Sequence, residues 1–263
     1  MTDTLPAARP ARPFFQVTGF RFRLSSLIAL IAAGLLMEGM LRLGRIPAKW
    51  LYLNGPEFFD GRIWIYVGLA ILFQALLGLL GIIVMRFALP RADAHLRWPP
   101  GRSYAGLALL IGITMGLIML VADYWPQMLS GGPLNETYPV DPVDSPGWLA
   151  ALAITGLAEE TIFRGLLVGG LVLFLPGRVR AGAFEIPLAG VAVALMFGVA
   201  HWQAFVVDPL HMALAQQSYA FAWGLIYVWL MERSRSLLAP IIAHGAGNST
   251  EVGLIMLWTV AAG

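Results

Sequence analysis

Two acids and a base stand where the chain is otherwise apolar: Glu159, Glu160 and Arg164, in the run Ala158-Glu-Glu-Thr-Ile-Phe-Arg-Gly165. An ionisable side chain at the centre of a membrane helix costs at least about 2.5–3.5 kcal/mol, so those present usually face the protein interior and serve a purpose. Glu160 and Arg164 are four apart and share one helical face as an ion pair. Glu159 points about 100° away and is left without a local partner. Two later apolar runs carry a histidine that shares one helical face with a residue four away, Phe197 with His201 and His244 with Asn248. A free carboxylate, two imidazoles and a carboxamide supply a base, a polariser and oxyanion donors if their helices meet. Taken singly, each has a plainer reading, since a lone intramembrane histidine often serves as a hydrogen bonder and a Glu–Arg pair is more often structural than catalytic. Glu251 follows Asn248 by three and His244 by seven, so it could face the same cavity. His95, Asp208 and His211 fall in loops or turns and read as solvated, and Glu38 can snorkel from the end of its helix.

The elements that must position these groups are membrane helices. Of 263 residues, 59% are hydrophobic and 12% charged, against about 45–50% and roughly 25% in soluble domains. The apolar residues fall in blocks near the roughly 20 residues that cross a bilayer core. The fold class is therefore all-α, a polytopic bundle of about seven transmembrane helices at 25–43, 63–85, 104–122, 148–174, 187–207, 212–231 and 237–260. Residues 1–24 read as a flexible tail and 25–263 as one membrane domain, with the chemistry-bearing part at about 148–260. Without cysteine there is no disulfide, thiolate nucleophile or Cys-ligated metal. The formal net charge of +2 is better explained by topology than by nucleic-acid binding.

Loop charges alternate along the chain. Arg9, Arg12, Arg21 and Arg23, then Arg86, Arg91, Arg97 and Arg102, then Arg178 and Arg180, and last Arg233 and Arg235 mark one side, the cytoplasmic one by the positive-inside bias. The segment 123–147 carries Asp123, Glu136, Asp141 and Asp144 and no Lys or Arg, which fits the outer face. Arg45, Lys49 and Arg62 dissent in the first outer loop. The N-terminus is expected in the cytoplasm. Lys49 is the only lysine, a composition typical of a GC-rich bacterial genome, hence an inner (plasma) membrane.

Taken together, the three motifs resemble those of the CAAX-processing and bacteriocin-processing (CPBP, or ABI) intramembrane endopeptidases. That family's pattern is Glu-Glu-x-x-x-Arg, then Phe-x-x-x-His, then His-x-x-x-Asn, on successive membrane helices. Here it reads Glu159-Glu160-x-x-x-Arg164, Phe197-x-x-x-His201 and His244-x-x-x-Asn248, in order, within about 148–260. The resemblance implies peptide-bond hydrolysis in or beside the membrane, with Glu159 as the general base, His201 holding the attacking water, His244 and Asn248 stabilising the oxyanion, and Glu160 and Arg164 organising the site. It also implies a membrane-associated or lipid-anchored protein as substrate, with the bilayer as the other partner.

No cofactor is required on this reading, although Glu159, His201 and His244 could ligate zinc with an open water position. The alternatives are a non-catalytic member acting as a scaffold or bacteriocin self-immunity protein, and a transporter with an ionisable relay. On straight helices with the boundaries above, His201 and His244 would sit about 11 Å apart along the bundle axis, so tilt or a broken helix must bring them together.

Overall fold

A computed structural model describes residues 14–131, 134 and 138–262; Arg9, Arg12 and Glu136 lie outside the described residues. The chain folds as a helical bundle. Its first three long helices are α1 (Leu24–Leu53), α2 (Ile63–Ala88) and α3 (Ala105–Ser130). These three and the stretch Leu188–Val207 are long and apolar enough to cross a membrane. Their outward faces expose Ile28, Leu35, Leu76, Leu80, Leu110 and Ile118, a contiguous apolar surface that a soluble monomer rarely carries. This is an integral membrane protein.

Helix α1 continues well past the expected end at residue 43, so Arg45 and Lys49 are helical and Pro47 lies inside the helix. The third dissenting base, Arg62, approaches Asp144 at 3.4 Å, and Trp64 Nε1 donates to the same carboxylate at 3.0 Å. Pairing with the acid-rich segment accounts for a base at that end of the bundle.

The stretch expected as one helix over 148–174 is segmented into α4 (Asp144–Ala153), α5 (Thr155–Glu160), a π-helix (Thr161–Val168) and α6 (Gly169–Leu171). At the first break the Thr155 hydroxyl donates to the Leu152 carbonyl at 2.7 Å, a back-bond of the kind that bends helices. The wider π turn follows directly on the two glutamates and carries Arg164; such turns concentrate at functional sites.

The expected helix over 187–207 is interrupted too. Helix α7 (Leu188–Ala200) ends at His201, and a short α8 (Ala204–Val207) follows. Thirteen residues rise only about 20 Å, less than the roughly 30 Å core, so α7 stops inside the bundle. His201 sits in the resulting turn. Helices α9 (Leu210–Ser234) and α10 (Leu238–Ala262) complete the bundle. They have spanning length but interleave polar residues, among them Gln216, Gln217, His244 and Asn248, with the apolar ones.

Within the segment read as a tail, Phe15–Thr18 form β1, which pairs antiparallel with β2 (Arg178–Ala181); β2 pairs with β3 (Phe184–Pro187). Gly182, at φ +59°, makes the hairpin turn, a conformation that glycine adopts without strain. Arg-rich segments distant in sequence thereby meet at one end of the bundle. Arg97, Arg178, Arg180, Arg233 and Arg235 line one polar cavity with Asp93, His95, Glu185 and Glu232. Burial alone would raise the pKa of Asp93, but the His95 backbone N–H and the Arg97 guanidinium outweigh it and hold the carboxyl below its ordinary range. Ser145 starts the other end. Because the chain lacks cysteine, Ser145→Cys and Arg180→Cys each introduce a single thiol. An impermeant reagent should label only the first in intact cells, and the opposite pattern would reverse the expected orientation.

Candidate active site

The deepest part of the site is an ion pair without solvent. Glu160 and Arg164 are both fully buried, with Arg164 Nη1 donating to Glu160 Oε1 at 3.3 Å. Arg164 Nε approaches Oε2 at 3.2 Å without hydrogen-bond alignment. The guanidinium carbon lies 4.5 Å from the ring centre of Phe197, 5.1 Å from Tyr227 and 5.7 Å from Phe163. Three aromatic faces therefore substitute for water around the cation. Gly224 of α9 permits this fit, since a Cβ there would stand 3.2 Å from Arg164 Nη2 and 2.9 Å from Ala194 Cβ.

His244 joins the two glutamates. Its Nδ1 lies 2.8 Å from Glu160 Oε1, and its ring stacks on Tyr227 at 5.1 Å with 13° between planes. Donation from Nδ1–H to Glu160 sets the ring's orientation and leaves Nε2 facing Glu159 Oε2 at 3.7 Å. Glu159 makes no ion pair within its own helix; the imidazole that approaches it comes from α10. Its side chain is 25% exposed, and Oε2 has no hydrogen bond. One carboxylate is committed to two cation-capable partners, while its neighbour, a quarter exposed, keeps one buried oxygen without a hydrogen bond.

Phe197 stands between the histidines, its ring 5.1 Å from that of His201 and 5.9 Å from that of His244. The interruption of α7 leaves His201 in a turn at the end of that helix, with Phe197 as the ring that touches both histidines. His201 Nδ1 lies 2.8 Å from the Phe197 carbonyl, and Gln217 Nε2 donates to the His201 carbonyl at 3.0 Å, so carbonyls at the helix end are satisfied. With Nδ1–H on that carbonyl, Nε2 is free to accept a hydrogen bond. Asn248 Nδ2 donates to Thr155 Oγ1 at 2.8 Å, tying α10 to the break before the glutamates.

Two glycines allow α10 this close. A Cβ at Gly156 would lie 2.6 Å from the Ile241 carbonyl oxygen, and one at Gly245 only 2.1 Å from that of Ala153. Backbone cannot yield as a side-chain tip can. Gly245→Ala should therefore push α10 away from the end of α4 and lower stability by about 1–3 kcal/mol, the usual cost of overpacking. Thermal unfolding in detergent measures this, and an unchanged midpoint would contradict the contact.

Glu251 does not join the site. Its carboxyl neighbours Asp123 of α3, which accepts from Tyr219 at 3.0 Å; seven residues beyond His244, it lies on the same face of α10 but about 10 Å further along the axis, where its neighbours differ. Nor do Glu159, His201 and His244 form a ligand set, for among the described residues no three His, Asp or Glu side chains converge as a metal site would require. Sequence reasoning missed Tyr227, Thr155 and Phe163. For Tyr227 a signal existed, because Gly224 and Tyr227 are three apart and present a small residue and a ring on one face of α9.

A family model described as type II CAAX prenyl endopeptidase Rce1-like matches residues 142–250. No curated protein sequence matches the chain. The matched segment begins just ahead of α4 and includes Glu159, Glu160, Arg164, Phe197, His201, His244 and Asn248, and it ends one residue before Glu251. Residues 142–250 of the chain are thus similar to the type II CAAX prenyl endopeptidase family, and the similarity takes in every motif that suggested it.

Proposed function

We propose that the chain is an intramembrane endopeptidase that hydrolyses a peptide bond in or next to the membrane, in a membrane-associated or lipid-anchored protein. The similarity of residues 142–250 to a CAAX prenyl endopeptidase model supports the reaction class. The observation that carries the mechanism is the inequality of the two glutamates: Glu160 is spent on Arg164 and His244, whereas Glu159 keeps an oxygen without a hydrogen bond. Glu159 takes a proton from a water held by His201 Nε2, and the water oxygen bonds to the scissile carbonyl carbon. The second Asn248 N–H, together with Nε2–H of His244 in the imidazolium form that the Glu160 carboxylate supports from the outset, stabilises the tetrahedral oxyanion. When the C–N bond breaks, the Glu159 carboxyl returns its proton to the departing amine. The chemistry needs no covalent intermediate and no cofactor.

We place the protein in a bacterial inner membrane with the N-terminus in the cytoplasm. Comparative membrane proteomics of cells carrying the wild type or Glu159→Ala should reveal proteins whose termini change only with the wild type. Identical termini in both strains would move the scaffold or self-immunity reading ahead. For metal, analysis of the purified protein should find well under one zinc per chain, and chelator should leave cleavage intact. Stoichiometric zinc lost together with activity would refute the water-and-protein mechanism.

A further inference from the structure

Away from the acid–histidine cluster, an apolar groove of about 800 Å³ runs between α1, α2 and the π-helix. None of Glu159, His201, His244 or Asn248 lines it, and its wall includes Leu166 and Leu167, on the π-helix just after Arg164. At the start of α1 the groove meets a polar recess of about 330 Å³ lined by Arg21 and Arg23, and Ser25 and Phe174 line both. The recess contains no acidic residue. Among the described residues neither arginine is within ion-pair distance of a carboxylate.

We infer that this compound cavity binds one anionic phospholipid, its phosphate between Arg21 and Arg23 and an acyl chain along the groove. An apolar trough ending in two guanidinium groups that pair with no carboxylate among the described residues matches a molecule with a hydrocarbon tail and a negative head. Basic residues beside a span attract anionic lipid. Along α1, the lining residues run from Ser25 to Leu43 over about 27 Å, most of a roughly 30 Å hydrocarbon core, so an acyl chain that enters at the arginine end has apolar wall along its whole length. The lipid belongs to the leaflet where α1 begins, and it braces α1 against the helix turn that holds Arg164. This inference does not depend on the catalytic proposal.

Native mass spectrometry of the detergent-purified full chain, titrated with palmitoyl-oleoyl phosphatidylglycerol or the matching phosphatidylcholine, tests it. One phosphatidylglycerol should be retained in preference to phosphatidylcholine, and Arg21→Gln/Arg23→Gln should weaken that retention about tenfold or more. Ala32→Phe obstructs the groove from an exposed lining position and should weaken binding of the same lipid. Gly34→Phe is the control on the same helix, because Gly34 lies outside the groove with nothing within 4 Å of an added Cβ, and it should bind as wild type does. The inference is overturned if both lipids bind alike and the arginine variant changes nothing. It is equally overturned if inorganic phosphate displaces the lipid, if Ala32→Phe binds as tightly as wild type, or if the groove is occupied by a second copy of the chain in a dimer that Ala32→Phe abolishes.

Discussion

Glu159→Gln should accumulate in membranes as the wild type does and lose cleavage by a factor of about 10²–10⁴ or more, the usual contribution of a general base. The amide keeps the shape of the carboxylate and its partial exposure. Since Oε2 makes no hydrogen bond, the substitution breaks no bond at that atom, and the fold loses only a 3.7 Å approach to His244. The measurement is single-turnover cleavage beside membrane abundance, so that a drop in rate is not mistaken for a drop in protein. Near-normal turnover in well-folded Glu159→Gln would remove the base from the mechanism and put the scaffold or transporter readings first.

The adjacent substitution should fail for a different reason. Glu160→Gln leaves Arg164 fully buried with no anion and takes the carboxylate from His244 Nδ1 as well. Removing one member of a buried pair costs about 3–5 kcal/mol, because the other is left charged and unsolvated. Low yield and a lowered denaturation midpoint are expected even where some protein folds. Replacing the pair together, as Glu160→Gln/Arg164→Met, should recover part of the loss, since an apolar side chain suits the ring-lined space that a lone guanidinium does not. A double-mutant cycle on unfolding separates the terms. Additive losses would mean that the two groups are not coupled, and a fully stable Glu160→Gln would mean that the aromatic faces alone sustain the cation.

These opposite expectations for neighbouring glutamates come from one feature. Glu160 is turned into the bundle, where α10 and the aromatic faces of α7 and α9 close over it. Glu159, one residue earlier, reaches the cluster's edge. A site built this way keeps its reacting carboxylate apart from the one whose loss endangers the fold.

Composition and spacing were sufficient for the membrane class, for the Glu160–Arg164 pair and for the grouping of Phe197 with His201, because those features depend on hydropathy or on neighbours four residues apart along one helix. The convergence of Glu159, Glu160 and Arg164 with His244, across three-dimensional space, was legible only through family resemblance. Tertiary packing alone decided that His244 addresses both glutamates through its two nitrogens, that Tyr227 and Phe163 surround Arg164, and that Glu251 turns to Asp123. It also decided where the helices stop. The interruptions at Ile154 and His201 lie inside apolar runs that hydropathy reads as continuous, and they rest on a Thr155 back-bond, a Gln217 contact and the close approach of α10 at Gly156 and Gly245. Periodicity sets the angle between residues on one helix, whereas the rotation of one helix against another, and the depth at which it ends, are set by which backbones can touch.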